Sequence, residues 1–233
     1  NVLCIIPARG GSKGVIRKNL RKIGGKTLVE RSIITARESG VCNYILVTTD
    51  DIEIQKEAID KGAEAPFIRP SELSSDLAPT IQVLIHAINM FEKYSNKEID
   101  TVIILEPTSP FRRPSTIVNA LELYKKRKCG SVISVCQLER KPENIFIKKS
   151  NSLERLCKGL IPYNRRQDMT LLCRLSSVVY VTGKKELLSN NQILNSPISY
   201  INTDEIESIN IDSELDLLLA QTVEKNLNTT NKR

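Results

Sequence analysis

The opening of this chain constrains it most. Val2-Leu3-Cys4-Ile5-Ile6 is an apolar, strand-forming run that ends in Pro7-Ala8-Arg9-Gly10-Gly11-Ser12-Lys13-Gly14, with Lys18-Asn19 close behind. A buried strand feeding a glycine-rich cationic loop is a device for gripping a polyphosphate. The strand sets where the loop begins, glycines let backbone N–H groups approach an anion, and Arg9, Lys13 and Lys18 add charge that oriented amides lack. The spacing of Gly10, Gly11 and Gly14 matches neither the G-x-G-x-x-G dinucleotide fingerprint nor the G-x-x-x-x-G-K-[ST] P-loop. A glycine-rich surface turn with scattered lysines is the alternative, and the loop alone does not decide between them.

Downstream, strand-like apolar segments alternate with amphipathic helical ones. The pattern predicts strands over 2–7, 44–48, 101–105 and 130–135, and helices over 27–39, 51–61, 79–94 and 114–127. That alternation specifies an α/β fold with a mostly parallel sheet, in which ligands gather at the carboxyl ends of the strands. Arg9-Gly10-Gly11 and Glu106-Pro107-Thr108-Ser109 each follow a strand and so can face one site. Asp50 follows the second strand on the same edge, with an N-cap of the 51–61 helix as its competing role. From about 138 to 174 the alternation breaks into a basic, irregular excursion with short β-like pieces such as Ile145-Phe146-Ile147. The chain then returns through Ser177–Val181, a segment over 206–211 and a helix over about 213–225. A single domain over 1–225 is expected, with a frayed polar tail over 226–233.

Composition narrows the function classes. The 233 residues, 40% of them hydrophobic, suffice for one substantial core, and no apolar run approaches the roughly 20 residues that span a bilayer. The first residues read as a core strand rather than a signal segment, so no membrane association and a cytoplasmic location are expected. The six cysteines have no C-x-x-C spacing and read as free thiols. The net charge of +7 suits nucleic acid or a small polyanion equally well. Its one dense run, Lys125-Lys126-Arg127-Lys128, closes a helix where cations complement the dipole, and aromatics make up only 4% of the chain. A polyanionic small substrate and no nucleic acid is therefore the reading adopted. His86, the sole histidine, stands among apolar helical neighbours as a structural residue, and no G-x-S-x-G elbow supports a hydrolase triad.

The loop over 7–14 with Lys18-Asn19-Leu20 resembles the opening of the sugar-activating cytidylyltransferases, above all the CMP-N-acetylneuraminate (acylneuraminate) synthetase family. The resemblance continues in order through Thr48-Thr49-Asp50, Arg69-Pro70-Ser71-Glu72-Leu73 with Ser75-Asp76, Glu106-Pro107-Thr108-Ser109-Pro110-Phe111-Arg112, Arg166-Gln167, and Ser208-Ile209-Asn210-Ile211-Asp212. It implies a three-layer Rossmann-like nucleotidyltransferase fold whose excursion is a dimerisation element, hence a homodimer. The implied reaction is attack by the anomeric hydroxyl of a 2-keto-3-deoxy sugar acid on the α-phosphorus of CTP, with Mg²⁺ as cofactor. Arg9, Lys18 and Asp212 are the implied catalytic residues. Gly10, Ser12, Lys13, Asn19, Arg69, Asp76 and Thr80 join Arg9 around the nucleotide, although Thr80 also reads as an ordinary helix start. Glu106, Thr108, Ser109, Arg166 and Gln167 fall to the sugar.

The sequence departs from the family pattern at three places. Two aspartates one residue apart, set by a strand to face the metal, are expected near the C-terminus, and here the pair is Asn210 and Asp212. An amide oxygen can ligate Mg²⁺ but brings no charge. Glu106 stands where sialate synthetases commonly carry a glutamine, and a carboxylate accepts from hydroxyls but cannot donate. Arg174-Leu175-Ser176-Ser177 replaces a pattern closer to Arg-Pro-Asn-Gly. Two of these changes fall on the sugar side, so the nucleotide is expected to be CTP and the sugar a sialic, legionaminic or pseudaminic acid, with the eight-carbon acid Kdo or a catalytically silent CTP/CMP binder as alternatives.

Overall fold

The computed structural model describes residues 1–138, 145–157 and 172–230. Six strands form one sheet in the order β10 (Ile198–Asn202), β6 (Ser131–Gln137), β9 (Cys173–Gly183), β5 (Thr101–Ile104), β1 (Val2–Pro7), β4 (Tyr44–Thr48). β1 runs parallel to β4 and β5, and β10 parallel to β6; β9 runs antiparallel to both its neighbours. β9 therefore joins a parallel block to a parallel pair, giving a mixed, mostly parallel sheet.

The pleat explains why β1 can be apolar throughout. Val2, Cys4 and Ile6 point to one face, where they pack with α1 (Leu28–Glu38), α2 (Ile52–Asp60) and α4 (Pro114–Arg127). Leu3 and Ile5 point to the other, against Leu84, Ala87, Ile88 and Phe91 of α3 (Thr80–Ser95) and Leu187 of α5 (Lys184–Asn190). The result is three layers with helices on both faces, as expected for a sheet buried on both sides. α1 starts at a capping box in which Thr27 Oγ1 accepts from the Glu30 N–H and Glu30 reaches back to the Thr27 N–H.

A third apolar cluster joins the glycine loop to the C-terminal helix. Val15, Ile23 of β2 (Lys22–Ile23), which pairs antiparallel with β3 (Lys26–Thr27), and Leu28 pack with Phe111, Ile211, and Leu217 and Ala220 of α6 (Glu214–Thr230). This cluster sets 193 residues apart in sequence the two segments that meet in the candidate site, Lys18 and Ile211.

Several local expectations are corrected. The strand that the resemblance implies for setting residues 210 and 212 is a turn and loop over 206–211, with Thr203 Oγ1 bonded to Ser208 Oγ at 2.7 Å. Helix α6 continues through residues placed in the frayed tail, to Thr230. The sheet extends into the excursion, since Cys173 and Arg174 pair with Gln137 and Cys136. Within it, β7 (Phe146–Lys148) and β8 (Leu153–Arg155) form a two-stranded hairpin. The cysteines are free, as expected, with Cys4, Cys129 and Cys136 buried and Cys173 exposed.

Candidate active site

A cleft of about 320 Å³ opens at the carboxyl edge of β1 and β5. Its walls bring together Arg9, Ser12, Lys18 and Asn19 from the glycine loop, Arg69, Asp76 and Thr80 from the connection into α3, Glu106 and Thr108 after β5, and Asp212 before α6. Segments spread over most of the chain thus converge on one volume, at the edge where parallel sheets place ligands.

The glycine loop is held by its neighbours in specific ways. Asn19 is buried and donates Nδ2–H to the Arg9 carbonyl at 2.8 Å, so it shapes the loop as well as lining the cleft. The Gly10 N–H, expected to point at phosphate, is instead taken by Asp50 Oδ1 at 2.9 Å, and Gly10 does not line the cleft. A Cβ at Gly14 would stand 2.0 Å from the Asp212 carbonyl oxygen, so only glycine lets the loop lie against the Asp212 backbone. The N-cap of α2 is Asp51, whose carboxylate accepts from Glu53 and Ile54 N–H; the cap role considered for Asp50 is thereby overturned.

Cations dominate one wall. Arg9 and Lys13 each lie 2.7 Å from Asp76, a carboxylate on the opposite lip, and Lys13 first and Arg9 second hold that carboxyl below its ordinary value. Lys18 is only 16% exposed and donates to the Ile211 carbonyl at 2.9 Å and to Asp212 Oδ1 at 3.2 Å. Arg69 is buried beneath the cleft; burial pushes its guanidinium down, and its Nη2 has no hydrogen-bond partner. Thr80 both lines the cleft and begins α3.

Asp212 and Asn210 sit on a loop fixed by the start of α6. Asp216 accepts from the Asp212 and Ser213 N–H groups while Ser213 Oγ accepts from the Asp216 N–H, a reciprocal cap that orients the Asp212 carboxylate. Asn210 faces a neighbouring depression of about 610 Å³ rather than the main cleft, and Asp212 borders both. The Asn210 amide donates to Asp212 Oδ2, leaving its buried Oδ1 without a partner. Among the described residues no group of three or more His, Cys, Asp or Glu side chains forms a metal cage.

Past β5, Thr108 Oγ1 is buried without a partner, whereas Ser109 turns inward and donates Oγ–H to the Ser177 carbonyl at 3.1 Å. Ser109 thus anchors β9 and does not line the cleft. Arg166 and Gln167, expected at the sugar, lie outside the described residues. His86 stacks edge-on against Phe67 at 5.5 Å and does not line the cleft, in keeping with a structural role. Sequence reasoning passed over Arg112, which is buried and donates to the Val178 and Glu106 carbonyls and to Ser32 Oγ; its place directly after the Glu106–Pro110 segment was the available signal.

Burial raises the Glu106 carboxyl, with Asp212 adding to the rise and Arg112 and Lys18 opposing it. A carboxyl with a raised folded-state value binds protons more tightly in the native than in the unfolded chain, so its contribution falls as pH climbs through the window above 4.5. Glu106→Gln removes that ionisation cost. Its melting temperature is expected to exceed the wild type's at pH 7 and to lose the advantage at pH 4, as thermal melts at the two pH values will show.

Residues 3–194 match the family model described as Cytidylyltransferase. The chain is 32% identical over 227 residues to CMP-N,N'-diacetyllegionaminic acid synthase of Legionella pneumophila, covering 94% of each chain. It is 31% identical over 191 residues to pseudaminic acid cytidylyltransferase of Campylobacter jejuni, covering 82% of each. The fold is similar to that of CMP:2-keto-3-deoxy-manno-octonic acid synthetase complexed with CTP, with a TM-score of 0.70, 16% identity, and 97% and 98% of the two chains covered. A model spanning most of the chain and relatives of this identity and coverage leave one assignment: the chain belongs to the cytidylyltransferase family.

Proposed function

We propose that this protein transfers CMP from CTP to the anomeric hydroxyl of a nonulosonic 2-keto-3-deoxy sugar acid. The observation that carries the proposal is the convergence of Arg9, Lys18 and Asp212 with Glu106 and Thr108 in one cleft. In the reaction the sugar oxygen bonds to the α-phosphorus, the bond to the bridging oxygen of the β-phosphate breaks, pyrophosphate leaves, and the hydroxyl proton passes to water. Catalysis of such a transfer rests on positioning and charge neutralisation. Arg9 and Lys13 release Asp76 to hold the triphosphate, Lys18 faces the transferred phosphoryl group, and Arg69 lies under the nucleoside end with an unpaired N–H. Glu106 and Thr108 border the end left for the sugar, where a carboxylate accepts from hydroxyls.

Mg²⁺ is part of this reading, and the residues fit it. Asp212, which borders both hollows, offers a carboxylate that is 70% exposed, and Asn210 beside it a buried, unpartnered amide oxygen that would have to turn outward to join it, hard donors of the kind Mg²⁺ uses when substrate phosphates and water complete its shell. Bound there, the ion would neutralise phosphate charge. A homodimer belongs to the same proposal. The β7–β8 hairpin exposes Phe146, Ile147 and Leu153, and a two-stranded hairpin with an uncovered apolar surface is marginal by itself. A cytoplasmic location is part of the same proposal.

The names of the relatives favour a legionaminic or pseudaminic acid over Kdo. The test is pyrophosphate release from CTP and Mg²⁺ with N-acetylneuraminate, N,N'-diacetyllegionaminate, pseudaminate and Kdo as separate acceptors, and the other nucleoside triphosphates as controls. Release is expected with CTP and one nonulosonic acid. CTP binding without release on any acceptor would sink the transfer and leave a nucleotide-binding protein.

A further inference from the structure

Asp50 lies outside the cleft yet touches both of its nucleotide-facing walls. Its Oδ1 accepts from the Gly10 N–H at 2.9 Å and stands 3.5 Å from Arg69 Nη2. The chain builds this bridge locally. Thr49, the residue after β4, forms a parallel bridge with Ile68, the Thr49 carbonyl accepts from the Arg69 N–H at 2.7 Å, and Thr49 Oγ1 accepts from the Asp51 N–H. Those bonds place Asp50 between the glycine loop and the root of Arg69, while Asp51 takes the cap of α2 and leaves Asp50 free of that duty.

The electrostatics of Arg69 require such a partner. Its side chain is 3% exposed, Arg9 adds like charge, and nearby His86, its basicity lowered by burial first and by the Arg69 charge second, brings no counter-charge. Among the described residues Asp50 is the carboxylate within ion-pair distance of Arg69. The other side-chain contact is Ser74 Oγ, a neutral acceptor for Nε at 3.2 Å. A buried guanidinium without its counter-charge moves toward water, which here means out from beneath the cleft.

We infer that Asp50 is a positioning residue for the nucleotide: it fixes Arg69 under the nucleoside end and ties it to the loop that holds the phosphates. The inference rests on the nucleotide-transfer reading of the cleft. Asp50→Asn separates the two contacts, because the amide oxygen still accepts from the Gly10 N–H while the charge opposite Arg69 is gone. Asp50→Ala removes both.

Calorimetric titration of the full chain with CTP, CMP and inorganic tripolyphosphate reads the difference. Asp50→Asn is expected to weaken CTP and CMP about tenfold, close to 1.4 kcal/mol, and to leave tripolyphosphate unchanged; Asp50→Ala is expected to weaken all three. In an Arg69→Met background Asp50→Asn is expected to cost nothing further, since the two residues act as one unit. Unchanged CMP binding in Asp50→Asn, or an equal loss for CMP and tripolyphosphate, overturns the inference while leaving the transfer reading intact. A wild type that binds tripolyphosphate but no cytidine nucleotide overturns the transfer reading and this inference together.

Discussion

Lys18→Ala is expected to lower kcat by roughly 10²–10³-fold, the scale found when one preorganised group that stabilises transition-state charge is removed. The ammonium is well placed for that role. It is held by the Ile211 carbonyl and by Asp212, it is 16% exposed, and it lines the cleft that Arg9 and Asp212 share. The Ile211 carbonyl and the Asp212 carboxylate keep the ammonium in place, and the arriving triphosphate competes with the largely exposed Asp212 for its charge. Losing one neutral hydrogen bond and a partly exposed ion pair costs stability only about 1–2 kcal/mol, so the effect should appear in kcat with a small change in melting temperature. Lys18→Arg restores the charge on a planar fork that does not match the Ile211 and Asp212 acceptors, and should recover only part of the rate. Pyrophosphate-release kinetics at saturating CTP decide the matter: a Lys18→Ala enzyme within threefold of the wild type excludes the role.

The second large effect is on folding. Arg112 is 5% exposed, and burial pushes its guanidinium down to about 10, so it remains charged at neutral pH. Its donors satisfy the Glu106 and Val178 carbonyls and Ser32 Oγ, joining the site-bearing turn after β5 to β9 and to α1. Arg112→Ala removes a buried donor from all three, although the Glu106 carbonyl keeps the Ser109 N–H and the Ser32 hydroxyl its bond to the Leu28 carbonyl, and it opens a cavity. The expected cost is about 3–5 kcal/mol, which for a chain of this size lowers the melting temperature by roughly 2–4 °C per kcal/mol. Urea unfolding monitored by circular dichroism measures it. Arg112→Met, which fills the volume but donates nothing, should recover part of the loss. Wild-type stability in Arg112→Ala would mean that the three acceptors find water instead. The Glu106–Thr108 turn depends on this tether, so the surviving folded fraction should also show a raised KM for the sugar.

The two effects show which parts of the molecule the sequence reveals. The alternation of apolar strands with amphipathic helices was readable because a buried parallel strand is apolar on both faces, as Val2–Ile6 is. The glycine loop and Glu106 were readable because charge and glycine at the end of a strand have few other uses, Arg69 and Asp212 through the resemblance to the family's motifs, and the structure does gather the four. Where expected cleft residues turn away, one cause recurs. Gly10, Asp50 and Ser109 have the residue types of ligand contacts, but each polar group found a partner inside the protein, which a sequence does not print. The strand that the resemblance implies around Asn210 and Asp212 is a turn and loop here, and Ile211 serves the apolar cluster under the glycine loop.

The sequence by itself determined the layered α/β class, the strand ends that carry chemistry, and the family, since these depend on local periodicity and on residue types at fixed spacing. The tertiary structure decided which of the polar side chains are spent within the protein and which remain turned to the cleft. It also decided that Asp50 joins the phosphate loop to Arg69 and that Arg112 underpins Glu106. Those outcomes depend on contacts between residues 6 to 193 positions apart, and hydrogen-bond pairing over such separations is set by packing rather than by any pattern along the chain.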